Sequence, residues 1–358
     1  MKKYRVGVLG ATGTVGQRFL HLLSNHPWFE VTELGASGGS KGKVYEKAVA
    51  KRWILSDPIP ANVKGTILKD AVKDVEDIAQ NVDFVFCAIN LPKEETIKLE
   101  ETYAKLECPV VSNNSANRLT PDVPLILPEI NPGHLDIIPA QKKRLGTNRG
   151  FIAVKPNCSL QSYVPAVFPL LDFGIAEILV CTYQAISGAG KTFGTFPEMV
   201  DNVIPYIDGE EEKTELEPLK IFGKIENNVI VNAKLPRISA QCVRVPVTDG
   251  HTACVFAKLK NDISLEKIIE KWENYENPIV KLDLPSAPRK FLTYFKKQDR
   301  PQIKLDRNLE NGMGIAIGRL RKDILGNIKF VSTSHNTIRG AAGGAILLAE
   351  LLCAKGYI

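Results

Sequence analysis

The sequence predicts an α/β protein in two parts: a doubly wound parallel domain, then an α+β domain built on a mixed or antiparallel sheet. Three observations predict it. Short strand-like and helix-like runs alternate over about the first 150 residues. A glycine-rich turn joins the first strand to the first helix. Beyond Phe151 the strand-like runs lengthen and alternate apolar with polar residues. A chain of 358 residues has room for one large or two ordinary domains.

The elements follow in order. "YRVGVLG" reads as a strand. "TVGQRFLHLLSNHP" sets Val15, Phe19, Leu22 and Leu23 on one helical face and stops near Pro27. "FEVTELGAS" is a second strand, and "VDFVFCAI" (82–89) is the short apolar run of a buried parallel strand. "PKEETIKLEETYAKLE" is an amphipathic helix and "PVVSNNS" a strand ending in polar residues. The run Phe151–Val154 leads through a Pro-Asn pair to Cys158, and Val164, Val167, Phe168 and Leu171 then fall at helical spacing. Longer strands are expected at 178–187, 238–247, 252–259 and 312–320, with "SLEKIIEKWENY" as an inserted helix and helices on one face of their sheet. "GAAGGAILLAELLCAKG" reads as a buried helix.

Composition narrows the function. The chain is 44% hydrophobic and 24% charged, as a soluble globular protein is. Its opening run ends in a glycine motif rather than a cleavage site, and no apolar stretch approaches the roughly 18 residues that span a membrane. Seven cysteines without a Cys-x-x-Cys pair argue against disulfide scaffolds and zinc sites, so no metal and a reducing cytoplasm are expected. The formal charge of +6 is spread along the chain without a basic stripe, which disfavours nucleic acid and suits a small anionic substrate or a phosphorylated cofactor.

"GATGTVG" (10–16) follows a strand and opens a helix. Gly10, Gly13 and Gly16 permit a tight turn, close approach to a pyrophosphate and close helix packing, and the backbone N–H groups around Thr12, Thr14 and Val15 would hold the phosphates. The second strand ends in "GASGGSKGK". It offers no carboxylate for a ribose 2′-hydroxyl, but Ser37, Ser40, Lys41 and Lys43 suit a 2′-phosphate, so NADP(H) is the expected cofactor.

Cys158 differs from the other six cysteines, which lie in apolar strand-like or helix-like runs. At a helix start it would face unpaired N–H groups, which favour thiolate over thiol. "QAISGAG" ends a strand with Gln184 and a glycine turn holding Ser187 and Gly188. "RVPVTDGH" puts Arg244 and His251 near the ends of two adjoining strands, with Asp-Gly as the turn between them. Singly, these are also what a structural cysteine, a surface ion pair and a loop histidine look like. Together they offer a nucleophile, an acid/base and an anion clamp. "DGEEEKTELE" alone reads as a solvated helix start.

"GVLGATGTVGQRF", "PNCS", "QAISGAG", "RVPVTDGHT", "DRPQ" and "HNTIRGAAGG", in this order, resemble the aspartate-β-semialdehyde dehydrogenase family, most closely its archaeal and fungal branch. The resemblance runs over essentially the whole chain. It implies a cytoplasmic, NADP-dependent homodimer or homotetramer that interconverts L-aspartyl 4-phosphate and L-aspartate 4-semialdehyde on the way to lysine, threonine and methionine. It implies a Rossmann-type domain over 1–157, a catalytic and dimerisation domain over 158–335, and a C-terminal helix within 336–358 that returns to the nucleotide domain. By motif, Cys158 would form the acyl-thioester, His251 would be the acid/base, its imidazolium helping to lower the Cys158 pKa, and Gln184 would orient the substrate. Arg244 would meet the substrate carboxylate, Arg118 and Asn114 of "SNNSANR" would serve the substrate side with Arg118 on phosphate, and Glu210 and Lys213 would meet the amine and the phosphate. Asn336 would lie near the nicotinamide. Malonyl-CoA reductases share the scaffold, but their substrate has no amine to occupy Glu210 and Lys213. A redox sensor using Cys158 without turnover would need neither His251 nor Arg244.

Overall fold

Two six-stranded sheets organise the chain in a computed structural model that describes residues 3–325 and 328–358. The first contains β1 (Tyr4–Leu9), β2 (Phe29–Ala36), β3 (Lys69–Asp70), β4 (Phe84–Cys87), β5 (Val110–Ser112) and β6 (Ile152–Val154). Their order is β3-β2-β1-β4-β5-β6 and every pairing is parallel. Helices cover both faces, so all four residues of β4 are buried, as its unbroken apolar run requires. The strand order reverses between β1 and β4, and the glycine turn opens at that switch point.

The second sheet contains β7 (Ile175–Gln184), β10 (Arg237–Arg244), β11 (His251–Leu259), β12 (Leu292–Phe295), β13 (Ile315–Lys322) and β14 (Ile328–Ser334), with β8 (Lys224–Glu226) and β9 (Val229–Val231) forming a separate hairpin. The order is β10-β7-β11-β14-β13-β12, with β10–β7 and β12–β13 parallel and the other pairs antiparallel. β7 and β11 bury alternate residues beneath the helices and leave Leu179, Cys181, Tyr183, Cys254 and Phe256 on an open face.

Two expectations need correction. β10 and β11 do not adjoin, because β7 lies between them. The segment leaving Arg244 pairs with the chain leaving β7 instead of closing a hairpin: Val245 N–H donates to the Gln184 carbonyl and Ile186 N–H to that of Val247. The consequence favours chemistry, since Gln184 ends between Arg244 and the start of β11 at His251. The helix expected after Cys158 is also broken, into a 3₁₀ turn (Ser159–Ser162), one α turn (Val164–Val167) and a second 3₁₀ stretch (Phe168–Phe173). Pro165 and Pro169 deny it the continuous i→i−4 ladder.

The final helix, Gly343–Ala354, is apolar almost all round and packs into the nucleotide half beside Phe19, Leu23 and Phe86. Its buried Glu350 accepts from Ser286 N–H and Oγ–H and meets His26 Nε2 at 2.8 Å, so a carboxylate in an apolar helix has its partners.

Candidate active site

Cys158 closes the loop that leaves β6, the Rossmann-side edge strand, and enters the second sheet's helical layer. Three anchors fix that loop. Lys155 N–H donates to the Ser112 carbonyl (3.0 Å), Asn157 N–H to Glu217 Oε2 (2.7 Å), and Ser159 N–H to Asn157 Oδ1 (2.8 Å). The Cys158 sulfur then lies 3.4 Å from His251 Nε2. Gly340, on the turn before the final helix, packs directly on the nucleophile's backbone. A Cβ there would sit 2.8 Å from Cys158 Cβ.

His251 is fully buried. The Ala185 N–H donates to its Nδ1 at 3.1 Å, so the neutral ring carries its proton on Nε2, facing the sulfur. Burial, with the Arg244 charge next, depresses its pKa to about 3. Burial and the Arg244 charge thus both work against the expected imidazolium. Burial, and then the Glu210 charge, raise the Cys158 pKa, while Lys155, Arg118 and Arg244 pull it down. The element that follows Cys158 is a four-residue 3₁₀ turn, which supplies little dipole of its own.

Around this pair the charges interlock. Glu210 begins the helix Glu210–Ile221 and turns inward: it accepts from Asn157 Nδ2 (2.9 Å), Gln184 Nε2 (3.2 Å) and Lys213 Nζ (3.1 Å). Burial pushes its pKa up, but Lys213, Asn157 and Gln184 pull it further down, so it stays ionised. Glu211, one residue on, turns outward to Gln241 and the Cys242 N–H. Arg244 is buried, donates to the Ala185 carbonyl (2.9 Å) and lies 2.8 Å from where a Gly188 Cβ would be. Arg118 pairs with Glu217 (2.9 Å) and the Asn113 carbonyl (3.0 Å), and its Nε has no partner among the described residues. Asn336 Nδ2 donates to Ser187 Oγ (2.9 Å), and its Oδ1 accepts from Gly250 N–H (2.7 Å). Asn114 does not join the cluster. Its amide donates to Glu100 and Cys87 inside the nucleotide half.

The glycine turn fits a dinucleotide. Gly10 has φ +87°, and a Cβ on it would strike the Ala88 carbonyl at 2.5 Å. One on Gly16 would strike the Gly10 carbonyl at 2.2 Å, while Gly13 faces open space save for that carbonyl at 3.4 Å. The helix Thr14–Leu23 starts there without a side-chain cap, which leaves its first N–H groups for phosphate. Gln17 clips the turn to a later segment, donating to the Thr12 and Arg52 carbonyls and accepting from Ile54 N–H. This brings Arg52 to 3.3 Å from Ser40 Oγ. Lys41 is held by Asp74 and Lys43 by the Gly39 carbonyl. Arg52, a residue that sequence spacing did not single out, thus hydrogen-bonds Ser40 directly.

A dinucleotide turn at the switch point of a parallel sheet, facing a buried cysteine among paired charges, defines a nicotinamide-dependent oxidoreductase working through a thiol. The chain belongs to the aspartate-semialdehyde dehydrogenase family. Family models described as "semialdehyde dehydrogenase, NAD binding domain" and "semialdehyde dehydrogenase, dimerisation domain" match residues 5–138 and 167–339. The aspartate-semialdehyde dehydrogenase of Archaeoglobus fulgidus is 42% identical over 99% of this chain and 100% of its own. The crystal structure of the Candida albicans enzyme with NADP covers 100% of both chains at 37% identity and a TM-score of 0.88. That of the Vibrio cholerae enzyme II, complexed with ASA, covers 99% of both at 25% identity and 0.73.

Proposed function

We propose that the protein interconverts L-aspartyl 4-phosphate and L-aspartate 4-semialdehyde with NADP(H) through a thioester on Cys158. The observation that carries the reading is the buried Cys158–His251 contact flanked by an ionised Glu210 and the Arg244 guanidinium.

The substrate brings a carboxylate, an ammonium and an acyl phosphate. Arg244 can take the carboxylate, Glu210 the ammonium, and Arg118 with Lys213 the phosphate. Gln184, hydrogen-bonded to Glu210, holds that carboxylate beside the thiol. The Cys158 thiolate forms the C–S bond as the C–O bond to phosphate breaks, and the phosphate leaves with the electron pair and takes a proton from solvent. When bound, the reduced nicotinamide supplies a hydride to the thioester carbon. The His251 Nε2–H donates a hydrogen bond to the oxygen that becomes negative there. Collapse of that oxyanion breaks the C–S bond, releases aldehyde and restores the thiolate. A neutral His251 suffices for this direction, because no step needs a second proton at the ring.

The cofactor reading rests on the glycine turn and on Ser37, Ser40 and Arg52, which suit a 2′-phosphate. We divide the chain into a nucleotide half, 1–157 completed by 336–358, and a catalytic half, 158–335. The open sheet face bearing Leu179, Tyr183 and Phe256 is read as the contact with a second copy of the chain, and the site of action as the cytoplasm. No helix of the described residues is long and apolar enough to cross a membrane.

The test is phosphate-dependent reduction of NADP with aspartate semialdehyde, compared with malonate semialdehyde plus coenzyme A. Turnover confined to the first pair supports the reading; faster turnover of the second would replace it with malonyl-CoA reduction.

A further inference from the structure

Glu217 is a carboxylate that the mechanism above does not use, and it is 1% exposed. It lies on the helix Glu210–Ile221, two turns beyond Glu210 and on the same face, with Thr214 between them. That face is turned to the nucleophile loop along its length. Glu210 accepts from Asn157 Nδ2 (2.9 Å), and Thr214 Oγ1 meets Ser159 Oγ at 3.2 Å. Glu217 Oε2 accepts from the N–H of Asn157, the residue before Cys158, at 2.7 Å.

The second oxygen of Glu217 goes elsewhere. Its Oε1 accepts from Arg118 Nη1 at 2.9 Å, so one carboxylate joins the backbone beside the nucleophile to the guanidinium read as the phosphate contact. The arginine's main chain is held independently: Lys220, one turn further along the helix, donates to the Arg118 carbonyl at 2.8 Å. Nor does the carboxylate saturate the guanidinium. Arg118 Nη2 donates to the Asn113 carbonyl at 3.0 Å, and its buried Nε has no partner among the described residues. A purely structural pair looks different in this molecule. Arg339 faces Glu129 with two nitrogens on two oxygens, the fork-to-fork geometry that uses the carboxylate fully. Glu217 instead gives Arg118 one oxygen and the nucleophile loop the other.

We propose that Glu217 is a positioning residue that balances the phosphate site against the nucleophile: one oxygen fixes the peptide before Cys158, and the other offsets part of the Arg118 charge. The two contacts act in opposite senses. Fixing the loop speeds the reaction at sulfur. A buried anion beside the guanidinium weakens its hold on a second anion. In the direction of aldehyde formation phosphate is a product, and the weaker hold lets it leave.

The inference rests on Cys158 as the nucleophile and Arg118 as the phosphate contact, and it can fail without them. The measurements are kcat for the phosphate-dependent oxidation of aspartate semialdehyde and the dissociation constant of inorganic phosphate from the NADP-bound enzyme, by calorimetry. They are made on wild type, Glu217→Gln, Glu217→Asp and Arg118→Ala, with NADP affinity reporting the folded nucleotide half. Glu217→Gln keeps the shape but removes the charge and one of the two acceptors. Its kcat should fall roughly tenfold through the displaced loop. Its phosphate should bind about threefold tighter or more, since the neighbouring anion is gone. Glu217→Asp keeps the charge but is one methylene too short to span both partners, so kcat should fall without any gain in phosphate affinity. A carboxylate that served the fold alone would lower kcat and weaken phosphate together in both variants, and that result overturns the proposal. So does a wild-type kcat in Glu217→Gln. Arg118→Ala that binds phosphate as wild type does overturns the phosphate contact itself. Phosphate weakened in Arg118→Ala and weakened again in Glu217→Gln overturns only the role of Glu217.

Discussion

Replacing Gly340 with alanine adds one methyl group to the wall behind the nucleophile. The new Cβ would lie 2.8 Å from Cys158 Cβ and 3.1 Å from Cys158 Cα. Ordinary carbon contacts are about 3.5–4.0 Å, so one side must give by about 1 Å. Gly340 is pinned by its N–H to the His335 carbonyl (2.9 Å), and Cys158 by the Asn157–Glu217 and Ser159–Asn157 hydrogen bonds. The displacement is shared, and part of it reaches the 3.4 Å Cys158–His251 contact. A misplacement of about 1 Å at reacting atoms can cost roughly a hundredfold in rate, and overpacking costs about 1–3 kcal/mol in stability. Gly340→Ala should therefore lower kcat by about 10- to 100-fold, slow alkylation of Cys158, and leave NADP affinity near wild type. Gly133→Ala is the control, since nothing lies within 4 Å of its added methyl. Steady-state kinetics and cofactor titration decide it. A Gly340→Ala enzyme with wild-type kcat would mean that the nucleophile loop yields without consequence, and the argument from close packing would be wrong.

Arg52→Ala should weaken NADP roughly tenfold or more while changing NAD little, because the guanidinium beside Ser40 suits a 2′-phosphate that NAD lacks; equal losses for both cofactors, measured by fluorescence titration, exclude that role. Glu210→Gln should raise KM for aspartate semialdehyde about tenfold, equivalent to about 1.4 kcal/mol, and Glu211→Gln should scarcely matter since that carboxylate faces Gln241. The reverse ranking would put the amine contact one residue along. Burial lowers the pKa values of His251 and His335 to about 3 and about 4, against 6.5 unfolded. The unfolded chain thus binds more protons below pH 6.5, and stability falls as pH drops from there toward 4. His335→Gln should flatten that decline by up to about 1.4 kcal/mol per pH unit in denaturant titrations, and an unchanged slope refutes the assignment.

What the sequence disclosed was what lies close together along it. The glycine turn after β1 is a local device, and its three glycines meet the carbonyls that make them necessary. Cys158 stood out because its neighbours are polar and a turn precedes it. Glu210 was separable from Glu211 only once the helix phase was seen, for three glutamates in a row leave the inward face undetermined. The intervening β7 was invisible because strand order is settled by pairings far apart in the chain, and an Asp-Gly dipeptide looks the same in a crossover as in a hairpin. Asn114 and Asn113 differ by one position in a loop, and no periodicity tells which side chain turns toward Glu100. Lys155 did leave a trace: a lysine following Phe151–Val154, without a break, in an otherwise wholly apolar run. Gly340 left one too, in a small-residue string that a buried helix alone does not require.

The final helix has a bearing on how the molecule is made. It fills the core against Phe19 and Leu23, which are synthesised more than 300 residues earlier. At about 5–20 residues per second, the opening βαβ segment waits roughly 15–70 s on the ribosome with that apolar surface uncovered. The same late stretch carries Gly340 to the back of Cys158 and Arg339 to Glu129. The reactive thiol therefore acquires its enclosing wall only after both halves have been translated, and a chain cut short before residue 340 lacks the cofactor core and the nucleophile's seat together.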